Sequence, residues 1–245
     1  MRILQMSDIS LAADKNEIFF DVNVYQVFNK VIDYICKNQK QLNIDALVVT
    51  GNISRDGSSE AYQNFYNAMD RLALPYFTLA GNQDNKISMR QQTLAAKNWR
   101  SLDKIATDKW AFLEINSLVR NEDFGFIDNS ELAELEDKIR KNSDKDIAIF
   151  LHHHPLPVGT PIVDICNLIN GDTLLKLCDD YTVRYIGCGH AHTPSIVKRN
   201  NISISVSPAI CFQWQNGTHQ AANIKSSGFN IISFSDNLHI ETYFI

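Results

Sequence analysis

The chain has no uninterrupted apolar stretch long enough to span a bilayer, no run of basic residues, no Cys-x-x-Cys pair, no internal repeat and no low-complexity linker. Each absence excludes a class. A membrane-spanning helix needs about 20 predominantly apolar residues in succession, so a helical membrane protein is not expected. Lys and Arg number 23 against 28 Asp and Glu, giving a formal charge of -5, and they are scattered. That distribution argues against a nucleic-acid binder that works by neutralising phosphates. Cys36, Cys166, Cys178, Cys188 and Cys211 are odd in number and lie mostly in apolar segments, where Cys acts as a small buried hydrophobe. A disulfide framework is therefore not expected. Met1 to Met6 run straight into a strand pattern without the apolar core of a signal peptide, and the expectation is a reducing, cytoplasmic setting.

What is present is ample apolar material, 44% of 245 residues, enough for the core of one α/β domain covering residues 1–245. Ile3 to Met6, Ala46 to Thr50 and Pro75 to Leu79 read as buried strands. Between them, helices are expected from about Val22 to Lys40 and from about Ser58 to Leu72, where apolar residues recur at helical spacing. A strand over Trp110 to Ser117, a helix from Ser130 to Ile139 and a strand over Ile147 to Leu151 follow. A loop rich in Pro and Gly, Pro155 to Pro161, precedes a short helix at about Asp172 to Cys178. The remainder reads mostly as strand: Val183 to Cys188, Ile202 to Val206, Phe229 to Phe234 and Leu238 to Phe244.

Five of the seven histidines fall in two clusters, His152-His153-His154 and His190-Ala191-His192, and each cluster directly follows a strand pattern. Asp8, Asn52 and Asn82 stand just behind the first three strands in the same way. Loops leaving the carboxyl ends of neighbouring strands converge on one edge of a sheet, so these distant residues are expected to share a cleft. Any lone Gly-Asn or His-x-His would be weak evidence. The repeated placement is what carries the expectation. Adjacent residues leaving a strand point in opposite directions, so His153 and His154 are expected to pack behind or orient His152, with one of them free to face a substrate. Asp84 is expected to brace a neighbouring ligand, and Asp164 and Asn170 to shape the pocket or cap the next helix. His219 and His239, outside the clusters, are expected to be surface or sheet residues.

With these motifs the chain resembles the calcineurin-like metallophosphoesterases, and more narrowly the bacterial cyclic AMP phosphodiesterases of the class III type. The likeness extends beyond the cleft residues, through Arg2-Ile3-Leu4-Gln5, Ser54-Arg55-Asp56-Gly57-Ser58, His152 to Gly159, Cys188-Gly189-His190 and Ser207 to Gln213. The resemblance implies two packed β-sheets flanked by helices, a four-layer α/β/β/α sandwich, with two transition-metal ions between strand-end loops. By position it implies Asp8 and His192 at one metal, Asn82, His152 and His190 at the other, and Asn52 in the bridging place. Asn82, Gln83 and His154 would face the substrate.

Three positions depart from the family pattern: Ser10 and Gln83 stand where His is usual, and Asn52 where Asp is usual. Two divalent ions about 4 Å apart repel by roughly 17 kcal/mol at an effective dielectric near 20, and bridging anions must offset that. Asn52 brings a dipole in place of a charge. Ser10 is a poor neutral ligand beside an imidazole. Gln83 can donate a hydrogen bond but cannot deliver a proton, and loss of general-acid help typically costs about 10²- to 10⁴-fold in rate. The expected cofactor is a divalent Mn, Fe or Zn ion, one per chain or partly occupied.

Three readings follow. The favoured one is a diverged member whose two-metal phosphodiester hydrolysis is weakened or abolished. The second is a working phosphoesterase that uses one metal or recruits a substitute ligand such as Asp84 or His154. The third is a non-catalytic nucleotide-binding or interaction protein, for which no particular protein partner is suggested by the sequence.

Overall fold

The computed structural model describes residues 1–245. Its longer strands are β1 (Arg2–Met6), β2 (Ala46–Thr50), β3 (Tyr76–Leu79), β4 (Trp110–Glu114), β5 (Asp146–Phe150), β6 (Val183–Cys188), β7 (Ser195–Arg199), β8 (Ile202–Val206), β9 (Gly228–Ser233) and β10 (His239–Phe244). They form two five-stranded sheets, ordered β10-β9-β1-β2-β3 and β4-β5-β6-β8-β7. In the first, β1, β2 and β3 are parallel and β9 and β10 are added antiparallel. In the second, β4, β5, β6 and β8 are parallel and only β7 is reversed.

Both sheets bury both faces, which is why the central strands read as continuous apolar runs instead of alternating ones. Successive side chains still point to opposite sides. Ile3, Val48 and Phe77 face inward and meet Trp110, Phe112, Phe150 and Tyr185 of the second sheet. Leu4, Leu47 and Val49 face outward beneath α1 (Val24–Leu42) and α2 (Ser59–Met69), against Phe28, Ile32 and Phe65. On the far side Ile147, Ile149 and Ile186 pack beneath α4 (Asn129–Arg140) and α6 (Gly171–Asp179), against Leu135, Ile139 and Leu174. The α/β/β/α layering expected from the resemblance is present.

Three elements differ from the sequence reading. The first helix starts at Val24, with the Asn23 side chain accepting from the Gln26 N–H, because Val22–Asn23 pairs with Ile18–Phe19. A helix α3 (Lys86–Thr93) follows the third strand; only Met89 of it is buried, so it carries no apolar stripe to betray it. Strand β7 is an edge strand whose middle residues are exposed, which hides it equally well. A short helix α5 (Pro161–Asp164) begins where the Pro- and Gly-rich loop ends. No helix is long and apolar enough to cross a membrane.

Beneath the carboxyl ends of the strands, a buried polar group ties the two sheets together. Gln5 Nε2 donates to Thr50 Oγ1 at 3.2 Å and to the Cys188 carbonyl at 2.9 Å, while the Tyr185 hydroxyl donates to Gln5 Oε1 at 2.9 Å. These bonds fix the height at which the strand-end loops meet.

Candidate metal centre

The loops after β1, β2, β3, β5 and β6 converge as expected. The Asp8 N–H donates to the Gly51 carbonyl at 3.0 Å, the Ser10 N–H to the Asn52 carbonyl at 2.9 Å, and the Gly189 N–H to the His152 carbonyl at 3.0 Å. The two sheets are joined across the cleft by the His190 N–H, which donates to Asp8 Oδ2 at 2.8 Å. Asp8, Ser10, Asn52, His190 and His192 all have left-handed backbones, with φ of 53°, 58°, 52°, 68° and 47°. Such residues are strained and persist only where their surroundings hold them. Gly81 is required at the β3 turn, since a Cβ there would stand 2.2 Å from Asn52 Oδ1.

Three potential ligand atoms meet around His152. Its Nδ1 lies 2.7 Å from the Thr50 carbonyl, an acceptor only, so Nδ1 carries the proton. Burial lowers the pKa of His152 and outweighs the pull of Asp8. The ring is therefore neutral and its Nε2 is bare. Facing that bare nitrogen are His190 Nδ1 at 3.2 Å and Asn82 Oδ1 at 3.0 Å. The Asn82 amide cannot be turned to relieve this, because its Nδ2 donates to the Asp123 carboxylate at 3.0 Å. Two acceptors at hydrogen-bond distance with no proton between them repel unless a cation lies among them. This donor set, two neutral imidazoles and an amide oxygen, fits one divalent ion.

His153 also stands close, its ring nitrogen within 4.8 Å of those of His152 and His190. Both of its nitrogens are engaged, Nδ1 with Ser117 Oγ at 2.9 Å and Nε2 with the Asp123 carbonyl at 3.1 Å. Burial, and then the neighbouring His152, pushes its pKa down to about 2. It braces the site as a neutral ring. Burial likewise holds His190 well below the usual histidine range, with His152 and His153 adding to the effect.

The second group of donors is arranged differently. His192 Nδ1 faces the Phe212 carbonyl at 3.1 Å, and its Nε2 faces Asp8 Oδ1 at 3.5 Å. Burial opposes charge on His192, but Cys211 and Asp8 overcome it and raise its pKa well above the ordinary value. Burial likewise works against the Asp8 carboxylate, and His192 holds it below the usual range nonetheless. Asp8 and His192 thus form a buried ion pair. Ser10, the third residue expected here, is buried with its Oγ lacking any hydrogen-bond partner.

Asn52 lies between the two groups, with both ends of its amide in use. Nδ2 donates to Asp8 Oδ1 at 3.1 Å, and Oδ1 accepts from the Gln83 N–H at 3.1 Å. The Gln83 side chain lies on the open side, where it lines a cleft of about 160 Å³ together with Asn82, Asp123, His190 and His192. Phe19, Phe212 and Trp214 add aromatic rings to the same lining.

His154, expected at the substrate, is instead fully buried and stacks behind His190 with ring centroids 6.0 Å apart. Neither of its nitrogens has a hydrogen-bond partner, although Nε2 comes within 3.5 Å of Asp164 Oδ1. Asp84 is not available as a substitute ligand either. It accepts from the N–H groups of Gly81, Ser54 and Ile53 at 2.8, 2.9 and 3.2 Å and from the Tyr62 hydroxyl at 3.0 Å, clamping two strand-end loops together. Asp164 accepts three N–H groups of the loop at Val158, Gly159 and Thr160. Asn170 does not cap its helix but grips Ile127 through two bonds. His219 and His239 are exposed, as expected. Asp123 carried no signal in the sequence, since it lies in mid-loop, far from any strand end.

The description calcineurin-like phosphoesterase belongs to the family model that matches residues 1–194. A probable cyclic nucleotide phosphodiesterase of Xenorhabdus bovienii is 42% identical over 243 residues, covering 98% of each chain. The 3',5'-cyclic adenosine monophosphate phosphodiesterase CpdA of Escherichia coli K12 is 29% identical over 88% of this chain and 78% of its own. Among solved structures, a dimetal phosphatase from Danio rerio superposes with a TM-score of 0.71 at 11% identity, covering 100% of this chain and 98% of that one. The matched span runs from the first strand through His192 and so takes in the five strand-end loops that carry Asp8, Asn52, Asn82, His152, His190 and His192: the chain belongs to the calcineurin-like phosphoesterases, and resembles the cyclic nucleotide phosphodiesterases among them.

Proposed function

We propose that this chain is a one-metal relative of the cyclic nucleotide phosphodiesterases, which binds a phosphodiester or nucleotide in its cleft and has weakened or lost two-metal hydrolysis. The family binds divalent metal ions, and an ion held by His152, His190 and Asn82 would polarise a phosphate oxygen. The observation that carries the one-metal reading is Asn52. Its N–H points at Asp8 Oδ1, the lone pair that a first ion would need. Its oxygen is engaged by the Gln83 N–H. A residue in the bridging place thus works as a hydrogen-bond strut, and the adjoining Asp8–His192 pair is satisfied by its own charges.

The amides of Asn82 and Gln83 serve to hold phosphate oxygens. Neither can protonate a leaving alkoxide, which supports slow turnover. The named relatives support a cyclic nucleotide as the ligand class, since the likeness to the Xenorhabdus protein spans nearly all of both chains.

The test compares the natural protein with one carrying Ser10→His, Asn52→Asp and Gln83→His. Metal per chain is measured after loading with manganese, zinc or iron, and cyclic AMP turnover is measured alongside. One ion per chain is expected in the natural protein and closer to two in the triple variant, with turnover higher in the variant by at least about 10²-fold. Two tightly held ions and rapid turnover in the natural protein would overturn the reading.

A further inference from the structure

We propose that Asp123 is a positioning residue that locks the amide of Asn82 with its oxygen turned toward His152 and His190, and so keeps the cleft able to hold a metal ion. This rests on the one-metal reading above. An asparagine amide has two nearly isosteric orientations, and the surrounding hydrogen bonds decide between them. At Asn82 the preference of His152 alone would be the wrong one. Its bare Nε2, 3.0 Å from the amide, would be better satisfied by an N–H than by an oxygen. The flipped amide would donate to Nε2 and occupy the lone pair a metal needs. Against that flip stands the Asp123 carboxylate, which can only accept and which takes the Nδ2 hydrogen at 3.0 Å. A hydrogen bond to an ionised acceptor is roughly twice as strong as one between neutral groups, so the carboxylate wins.

Asp123 is itself held in place. Its carbonyl accepts from His153 Nε2 at 3.1 Å. Two residues on, Gly125 presses on the same ring so closely that a Cβ there would stand 2.5 Å from His153 Cγ. The Gly125 N–H donates to the Asn167 carbonyl, and the Ile169 N–H returns to the Gly125 carbonyl. The loop is thus anchored on both flanks, and the carboxylate is carried to the rim of the cleft. His153, which spends both nitrogens on this loop, acquires a purpose: it fixes the height of Asp123 above Asn82.

The test uses cobalt(II) as the probe, with the full chain, and reads affinity by titrating the visible absorption of the bound ion. Asp123 is exposed and its anchoring bond is made by backbone, so Asp123→Ala is expected to fold, which a thermal melt checks. Asp123→Ala should weaken cobalt binding by about 10- to 100-fold, the usual cost of losing a partner that orients a ligand. Asp123→Asn retains an oxygen that can accept from Asn82 Nδ2 but without the charge that strengthens that bond, so its affinity should fall between those of the natural protein and Asp123→Ala. In the metal-free protein, the ¹⁵N resonance of His152 Nε2 should move upfield in Asp123→Ala, because the flipped amide now donates to it. Equal affinity in Asp123→Ala and the natural protein overturns the lock. So does an Asp123→Asn protein as weak as Asp123→Ala, which would assign the effect to charge. A natural protein that binds no cobalt at all would instead sink the one-metal reading.

Discussion

At Asn52, nitrogen in place of oxygen reverses the direction of one contact: the amide donates to Asp8 where a carboxylate would share a cation with it. Asn52→Asp should therefore place two buried carboxylates side by side and remove one of the donors to Asp8. We expect a loss of about 2 kcal/mol in the presence of a chelator, or roughly 4–8 °C in melting temperature for a chain of this size. Manganese should restore more of that loss than it adds to the natural protein, as differential scanning fluorimetry would record. Asp56 offers a test in acid. Burial works to raise its pKa, but hydrogen bonds from the Ala13 and Ser58 N–H groups and the Ser54 and Ser58 hydroxyls lower it to about 2, from an ordinary 3.8. Its contribution is complete above the unfolded value and lost as pH falls through the folded one. The natural protein should thus lose more stability between pH 5 and pH 2 than Asp56→Asn does, by urea midpoints, an effect moderated by the side chain's contact with solvent. Asp8, Asn52, Asn82, His152, His190 and His192 were legible because each follows a strand. The burial of His154 was not, since the alternation of side chains along a strand stops applying once the chain leaves the sheet.

Among the elements, the loops after β2 and β3 behave as one unit because Asp84 accepts from both. Asp84→Ala would leave the N–H groups of Gly81, Ser54 and Ile53 without acceptors, and each buried orphan costs about 1–3 kcal/mol. A loss of about 3–5 kcal/mol is expected, and hydrogen exchange should quicken at 51–54 and 81–84 before it does in β2 itself. Helices α1, α2 and α4 were readable from apolar periodicity, since each buries a stripe against a sheet. Helix α3 and strand β7 bury almost nothing of their own, and pattern reading has no purchase on an element that contributes so little to the core.

For the whole molecule, the inner layer between the sheets sets stability, while the cleft at one end sets function. Trp110 begins β4, at the end of its sheet opposite the cleft, and packs edge-on against Phe234 with ring centroids 4.9 Å apart. Trp110→Ala should cost about 3–5 kcal/mol, some 6–20 °C in melting temperature, yet leave the metal content of the folded protein unchanged. A fall in metal per folded chain would show that the sandwich and its rim are coupled. Apolar runs signalled that the central strands were buried on both sides, but which faces met in the middle emerged only with the pairing of β1 and β2 beside β9, a contact between the first and last parts of the chain.

The left-handed backbones of Asp8, Ser10, Asn52, His190 and His192 give the rim a mechanical character. Each is a small wound spring, about 1–3 kcal/mol above its relaxed shape, kept from uncoiling by a handful of hydrogen bonds. Cut one restraint and the tension has somewhere to go, so damage at any corner of the rim should travel round it, and an ion or phosphate seated there would act as a latch.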